Sequence, residues 1–149
     1  MTIQFEDFKL RPELVQAINS LGYTQPTPIQ EGIIPLMQTG RDVTGQAQTG
    51  TGKTAAFALP ILDRIDPNQR LPQALVVAPT RELALQVTEM IQTLGQFMDV
   101  RVLTVYGGTS YTQQLNQLRR GVQVVVGTPG RILDLIKRGR LDLSQVRTV

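Results

Sequence analysis

One loop constrains the fold of this chain more than any other stretch. Residues 45–54 contain three glycines and end in Gly-Lys-Thr, and a helix-forming run follows at 55–59. We predict a strand ending near Thr44, so that strand, loop and helix form a phosphate cradle lined by backbone N–H groups. In such a cradle Lys53 reaches the β- and γ-phosphates and the Thr54 hydroxyl binds Mg²⁺. The pattern therefore predicts a nucleoside triphosphate site.

The loop departs at one position from the usual G-x-x-x-x-G-K-[ST] pattern of phosphate loops. Ala47 stands where that pattern has its first glycine, whereas Gly50 and Gly52 are retained. Alanine is small, so we expect phosphate binding to survive. A chance match in a glycine-rich turn is the alternative interpretation, and the predicted strand–loop–helix context argues against it.

Apolar patterning along the rest of the chain predicts alternating helices and strands. Helices are predicted over 11–21, 28–40, 52–65, 80–97, 111–120 and 129–137, and strands over 74–78, 100–106, 122–126 and from 141 onward. Continuous apolar runs such as 74–78 are typical of strands buried on both faces of a parallel sheet. We therefore predict an α/β fold in one domain, with a mostly parallel sheet and helices on both faces.

Composition excludes several classes of protein and site. The chain has no cysteine and no histidine, so disulfides, thiolate metal sites and histidine bases are excluded. No apolar run approaches the roughly 20 residues that span a bilayer. Residues 1–8 carry acidic side chains where a signal peptide has positive charge. We expect no membrane association and a cytoplasmic location.

Charge is distributed unevenly along the chain. Residues 1–100 contain seven Lys/Arg and ten Asp/Glu, whereas residues 101–149 contain eight and two. Arginine supplies twelve of the fifteen positive charges, and guanidinium groups suit bidentate phosphate contacts. A polyanion partner near the C-terminal third is one interpretation. On charge alone, a solvated basic face is the simpler one.

The ends of the predicted strands carry the other candidate binding residues. In open α/β sheets, ligands bind beyond the carboxyl ends of the strands. Besides the loop, three strand-to-helix junctions place small or hydroxyl residues at a helix N-terminus, where N–H groups attract anions; these junctions are 79–82, 107–109 and 128–131. Three such junctions on one edge suit a polyphosphate backbone.

Gln30 has two interpretations from the residues alone. Thr27 as N-cap, Pro28 at N1 and Gln30 at N3 form a capping box, which explains the glutamine completely. Alternatively, the Gln30 amide recognises an adenine edge while Tyr23 or Phe5 stacks on the base.

The two arginines at the junctions also have simple structural explanations. Arg81 is consistent with an exposed residue in the first turn of its helix. Arg131 is spaced to pair with Asp134 at i, i+3. Their shared placement at strand ends is what favours a functional role.

Taken together, these motifs resemble those of DEAD-box ATP-dependent RNA helicases of superfamily 2, over nearly the whole chain. Phe5 matches the aromatic residue upstream of the Q motif, and Ala47 matches the usual first residue of motif I. The matching segments are 22–30 (Q motif), 47–54 (motif I), 79–84 (motif Ia), 107–108 (the GG element) and 128–131 (motif Ib).

The resemblance implies a RecA-like P-loop NTPase fold, present here incompletely, with a Q-motif region at 1–31 and a partial ATP-binding domain at 32–149. It implies ATP and Mg²⁺ as cofactors, with Thr54 on the metal and Lys53 on the phosphates in the transition state. The implied nucleotide contacts are Phe5, Tyr23, Gln30, Ala47, Gln48, Thr49, Gly50, Thr51, Gly52, Lys53 and Thr54. The implied contacts to single-stranded or short duplex RNA are Pro79, Thr80, Arg81, Gly107, Gly108, Thr128, Pro129, Gly130 and Arg131.

The family's D-E-A-D carboxylates, which help bind Mg²⁺ and position the attacking water, would follow Val149. Asp134 and Asp142 lie in the wrong context to replace them, so we expect no catalytic residue in this chain. By itself it should neither hydrolyse ATP appreciably nor unwind RNA. The alternatives are a non-catalytic nucleotide- and RNA-binding fragment, or another P-loop NTPase such as a DNA helicase or a transporter ATPase. The Q motif and residues 128–131 argue against the last.

Overall fold

Helices alternate with parallel strands in the computed structural model, which describes residues 2–50 and 52–149. A short 3₁₀ turn at Phe5–Phe8 precedes the regular elements. These are α1 (Pro12–Ser20), α2 (Pro28–Gln38), α3 (Lys53–Asp63), β1 (Ala74–Val77), α4 (Arg81–Leu94), β2 (Val102–Val105), α5 (Tyr111–Arg120), β3 (Val124–Gly127) and α6 (Pro129–Lys137). The predicted α/β class is confirmed.

The chain divides into two units. The first runs up to Arg64 and includes Thr93–Met98; the second comprises Ile65–Gln92 and Asp99–Val149. In the first, α1 and α2 pack against α3, which is apolar on nearly all sides and largely buried. The backbone N–H of Arg11 donates to Asp63 Oδ1 at 2.8 Å. That bond fixes the start of α1 to the end of α3.

Helix α2 contains two prolines, one at its start and one in its interior. Pro28 occupies N1, where no backbone N–H is needed. Pro35 lies inside the helix, which nevertheless continues to Gln38. The predicted end at Gly40 is therefore two residues too late. Beside this helix the backbone at Gly45 passes so close that a Cβ there would lie 2.8 Å from Ile33 Cδ1, which explains the glycine.

The second unit is built on a parallel sheet of three strands in the order β1-β3-β2. Val77 and Val105 are both in register with Gly127, so the three strands end at the same level. Strand β3 is central and completely buried. Buried apolar side chains pack here into one core, which comprises Leu75, Leu103, Val105, Val122, Val125, Ile132, Leu135 and Leu141.

Two predicted strands are not formed as expected. Residues 41–48 adopt no regular structure, so the predicted strand before the phosphate loop is wrong for this structure. At the C-terminus, the predicted strand from 141 is reduced to one bridge between Ala74 and Thr148. A strand requires a hydrogen-bonded neighbour. No strand of the described chain pairs with 41–48, and β1 receives only that one bridge on its free edge.

Candidate functional site

The phosphate loop lies in the first unit, directly before α3. Gly50 and Gly52 have φ of 81° and 85°, a left-handed conformation that glycine adopts without strain. The helix begins at Lys53, so its unpaired N–H groups lie at the end of the loop. Lys53 is exposed and Thr54 half-buried. Ala47, Gln48 and Thr49 belong to the irregular segment before the glycines, and Thr51 lies outside the described residues.

The loop is joined to the Q-motif segment through Gln30, whose side chain is only 4% exposed. Gln30 Oε1 accepts from the backbone N–H of Thr27 at 3.0 Å, which forms the predicted capping box. Gln30 Nε2 donates to the Gly52 carbonyl at 3.3 Å. The capping interpretation is therefore confirmed, and the same amide also reaches the phosphate loop. An amide has two donors and two lone pairs, so one of each remains available.

The surroundings of Gly52 fit a bound phosphate group. A Cβ at Gly52 would overlap the Gln30 amide nitrogen and would lie 3.2 Å from Thr27 Oγ1. The Gln30 amide occupies that position, so only glycine allows its contact with the loop. The Thr27 hydroxyl is buried and faces the backbone N–H of Gln30 in the capping box, and its own O–H donates to no acceptor among the described residues. The free hydroxyl donor of Thr27 and the N-terminus of α3 are features that suit an oxyanion.

The two predicted aromatic contacts are not equivalent. Phe5 is 3% exposed, with its ring stacked on Tyr23 at 6.5 Å between centroids and edge-on to Phe8 at 6.1 Å. Tyr23 is half-buried and therefore the more accessible of the pair. This arrangement favours Tyr23 as the residue that contacts a base, with Phe5 supporting its ring from beneath.

The described residues offer no preformed metal site. They contain no group of three or more His, Cys, Asp or Glu side chains that could bind a metal ion. Asp142 accepts from the Ser144 backbone N–H at 2.9 Å, and hydrogen bonds from the Ser144 side chain and backbone lower the pKa of Asp142. A Mg²⁺ ion here would depend on Thr54, the phosphates of the nucleotide and water, as Mg²⁺ commonly does.

The three other junctions meet at one edge of the sheet in the second unit. Because β1, β2 and β3 end in register, residues 79–82, 106–109 and 128–131 all follow on that edge. The Arg81 guanidinium lies 4.7 Å above the centroid of the Tyr106 ring, which joins the first junction to the second. A cation–π contact therefore holds the Arg81 side chain, which lies in the exposed first turn of its helix.

Helix starts at this edge leave backbone donors accessible. Thr80 Oγ1 accepts from the Leu83 N–H at 3.1 Å. Thr128 is the N-cap of α6, Pro129 lies at its start, and Pro129 and Gly130 are exposed. Pro79 is also exposed. The junctions therefore present short side chains and free N–H groups, the features predicted for contacts to a phosphate backbone.

Gly107 and Gly108 form an exposed turn after β2. A Cβ at either position would meet no atom within 4 Å, and Gly108 has φ of 82°. The Thr109 hydroxyl donates to the Tyr106 carbonyl at 2.9 Å and closes the turn. The backbone of both glycines is therefore open to a ligand.

Arg131 does not make the predicted pair with Asp134. Instead, Asp134 Oδ1 pairs with Arg138 Nε at 3.1 Å, an i, i+4 pair with the acid on the N-terminal side. Arg131 Nη1 donates to Gln114 Oε1 at 3.0 Å, and its guanidinium lies 5.4 Å from the Tyr111 ring centroid. Arg131 is thus directed toward α5 rather than along α6.

Gln114 was missed in the sequence analysis, although the pattern contains a signal for it. In α5, Tyr111, Leu115 and Leu118 pack against the core, and position 114 falls on the same stripe. A glutamine on an apolar stripe must find hydrogen-bond partners when it is buried. The tyrosines at 106 and 111, which contact arginines, gave no comparable signal.

Arginine side chains also lie at the edge of the sheet opposite the three junctions. At the amino-terminal edge, a cavity of about 700 Å³ is lined partly by Arg70, Arg101 and Arg120. Arg70 and Arg101 both donate to the Arg120 carbonyl, at 3.5 and 3.1 Å, at the C-terminal end of α5. Capping of the C-terminal end of α5 therefore accounts for the Arg70 and Arg101 side chains.

Comparison with known proteins settles the family. A model of the DEAD/DEAH box helicase family matches residues 27–149. The chain belongs to this family. It is 54% identical over 143 residues to the ATP-dependent RNA helicase DeaD of Mycobacterium tuberculosis, an alignment that covers 95% of the chain and 25% of that protein. The DEAD-box chain therefore spans about a quarter of the length of the curated relatives it matches.

Solved structures agree in fold. A DEAD box protein from the hyperthermophile Methanococcus jannaschii superposes with a TM-score of 0.91 at 39% identity, over 96% of this chain and 39% of that one. A hypothetical ATP-dependent RNA helicase from Sulfolobus tokodaii gives a TM-score of 0.83 at 44% identity, over 92% of this chain and 39% of that one. The fold is that of DEAD-box RecA-like domains, and it is incomplete here. No helix in the described part of the chain is both long and apolar enough to cross a membrane.

Proposed function

We propose that this DEAD-box chain binds ATP·Mg²⁺ and the backbone of single-stranded or short duplex RNA, as the N-terminal part of an ATP-dependent RNA helicase. The observation that carries the proposal is the shared strand ending at Val77, Val105 and Gly127, which brings three anion-binding junctions to one edge. Names of relatives support it, since those proteins are ATP-dependent RNA helicases.

For the nucleotide, the proposal assigns each part of the first unit a separate task. Lys53 and the N–H groups at the start of α3 bind the phosphates, and Thr54 holds the Mg²⁺. Gln30 recognises the adenine edge with its remaining donor and acceptor, while Tyr23 packs against the base. The bond from Gln30 to Gly52 supports this assignment, because it connects the base-recognition residue to the phosphate loop. ATP supplies the phosphoryl group whose transfer to water drives the helicase.

For RNA, the second unit offers contacts that do not depend on base identity. Arg81 and Arg131 are the charged groups of this edge, and the backbone at Gly107, Gly108 and Gly130 gives neutral donors. Such contacts position a strand without reading its sequence. We assign the Q-motif region to residues 1–31 and the partial ATP-binding domain to 32–149, and we propose a cytoplasmic location.

Hydrolysis and unwinding belong, in this proposal, to the full-length protein. The two carboxylates of the C-terminal third are engaged in other contacts: Asp134 is paired with Arg138, and Asp142 is bonded to Ser144. By itself the chain therefore acts as a non-catalytic nucleotide- and RNA-binding fragment. RNA-stimulated ATP hydrolysis by the 149-residue polypeptide would contradict this part of the proposal.

Salt titration of RNA binding tests the second-unit assignment. The full-length protein is titrated with unstructured RNA oligonucleotides of different sequence at several KCl concentrations. We expect similar affinities for all sequences and a log–log slope of about −0.7 per phosphate contacted. Affinity that is independent of salt, or that changes greatly with sequence, would refute binding to the backbone.

A further inference from the structure

Gln114 is the most completely bonded buried polar side chain in the second unit. Its side chain is 5% exposed. Nε2 donates to Thr109 Oγ1 at 2.9 Å and to the Tyr106 carbonyl at 3.4 Å. Oε1 accepts from Arg131 Nη1 at 3.0 Å. One amide therefore connects the GG turn to the arginine of the third junction.

Packing alone does not explain an amide at this position. Tyr111, Leu115 and Leu118 occupy the same stripe of α5 and pack on the core, where an apolar residue would serve as well. A buried amide costs free energy unless its donors and acceptor are satisfied. Here all the bonds go to residues that flank or form the proposed RNA edge.

The GG turn depends on this amide for its position. Gly107 and Gly108 are exposed, and nothing lies within 4 Å of either position where a Cβ would stand, so the turn makes little packing contact of its own. Its two flanking residues, Tyr106 and Thr109, are bonded to each other and to Gln114. Loss of Gln114 would remove the contact that fixes the turn to α5.

Arg131 is held in place without losing its charge. A guanidinium has five N–H donors, and Gln114 takes one of them with a neutral acceptor. Arg131 forms no ion pair with a carboxylate of the described residues. The remaining donors are thus available to a phosphate. Because the side chain is already ordered by Gln114, it loses less conformational entropy when it binds one.

We propose that Gln114 is a positioning residue that holds the GG turn and Arg131 in one preorganised array for the RNA backbone. This inference rests on the proposed RNA contact of that edge. Gln114 itself acts through Arg131 and the turn.

The test uses four variants of the full-length protein: Gln114→Ala, Gln114→Glu, Arg131→Ala and the double variant Gln114→Ala/Arg131→Ala. Gln113→Ala is the matched control, because Gln113 is the exposed neighbour on the same helix. RNA affinity is measured across a salt series, with ATP affinity and thermal unfolding measured in parallel.

We expect Gln114→Ala to weaken RNA binding about 3- to 10-fold, the size of one or two lost hydrogen bonds. Its effect should overlap with that of Arg131→Ala, so the double variant should lose less than the product of the two single losses. Gln113→Ala should bind RNA as the parent does, and ATP affinity should be unchanged throughout.

Gln114→Glu tests whether residue 114 acts on Arg131 or only stabilises the fold. The carboxylate still accepts a hydrogen bond from Arg131, but it neutralises the charge of that arginine. The log–log slope of RNA affinity against salt concentration should therefore decrease by the value of about one phosphate contact, as in Arg131→Ala. An unchanged slope would show that residue 114 does not act on Arg131. This variant also serves if Gln114→Ala fails to fold.

The outcomes distinguish the positioning role of Gln114 from the proposed RNA edge on which it rests. If Arg131→Ala alters neither RNA affinity nor its salt dependence, the proposed RNA edge is wrong, and the role of Gln114 falls with it. If Arg131→Ala weakens binding while both Gln114 variants match the parent, or if the single losses multiply in full, only the positioning role is overturned.

Discussion

The side-chain amide of Gln30 donates a hydrogen bond to the backbone carbonyl of Gly52, 22 positions further along the chain, at 3.3 Å. Through this contact, the capping box that starts α2 and the loop that starts α3 become one structure. A residue with a complete structural explanation therefore also connects the proposed base-recognition segment to the proposed phosphate loop.

Gly52→Ala should abolish ATP binding by the first unit. The new Cβ would overlap the Gln30 amide, and φ of 85° is unfavourable for alanine. Isothermal titration with ATP measures the loss. Gly32→Ala is the control: position 32 lies inside α2 with open space around it, so alanine should raise the free energy of unfolding by up to about 1 kcal/mol. Normal ATP binding by Gly52→Ala would show that the loop does not need this glycine.

Gln30→Ala should remove the preference for ATP over GTP. The parent should bind ATP at least tenfold more tightly, because the amide matches the donor and acceptor of an adenine edge. Competition of ATP and GTP against a fluorescent nucleotide gives both affinities. Since the variant also loses the bond to Thr27, its unfolding temperature is measured as well. Equal affinity of the parent for both nucleotides would contradict adenine recognition.

Gly127→Ala should destabilise the protein by more than about 2 kcal/mol. A Cβ there would lie 2.7 Å from the Val105 carbonyl oxygen and 3.0 Å from Ile132 Cγ1, inside a completely buried strand. Urea unfolding gives the difference. Gly130→Ala, three residues later in the first turn of α6, meets no atom within 4 Å and should be at least as stable as the parent. Equal stability of the two variants would mean that the strand end is not packed as described.

Asp134→Asn should change the free energy of unfolding by less than about 0.5 kcal/mol, because the pair it breaks with Arg138 is exposed. It should also leave the affinity for RNA within about twofold at physiological salt, since Arg131 is bonded to Gln114 and not to Asp134. Urea unfolding and RNA titration check the two statements. A large gain in RNA affinity would indicate that Asp134 restrains Arg131 after all.

Local patterns predicted most of the elements, because each has its own start and stop signals. The helices at 111–120 and 129–137 were predicted with their observed bounds, and Pro129 at a helix start is one such signal. Helix α4 was predicted over 80–97, which is one residue too early at its start and three residues too late at its end. Its apolar spacing continues to Phe97 although the helix ends at Leu94.

Features that depend on distant residues were not predicted. A strand was predicted before the phosphate loop because the motif has one there, but a strand forms only where a partner is present. Arg131 has a carboxylate three positions away, yet it donates to an amide on another helix. Sequence spacing reports neighbours along one helix, whereas these outcomes were decided by contacts between elements.

The nucleotide and RNA sites are most directly tested together by the rate of ATP hydrolysis of the full-length protein, with and without RNA, compared with its Lys53→Ala variant. We predict hydrolysis of ATP that requires RNA, little hydrolysis of GTP, and none by the variant. Hydrolysis at the same rate without RNA, or undiminished in Lys53→Ala, would contradict the account.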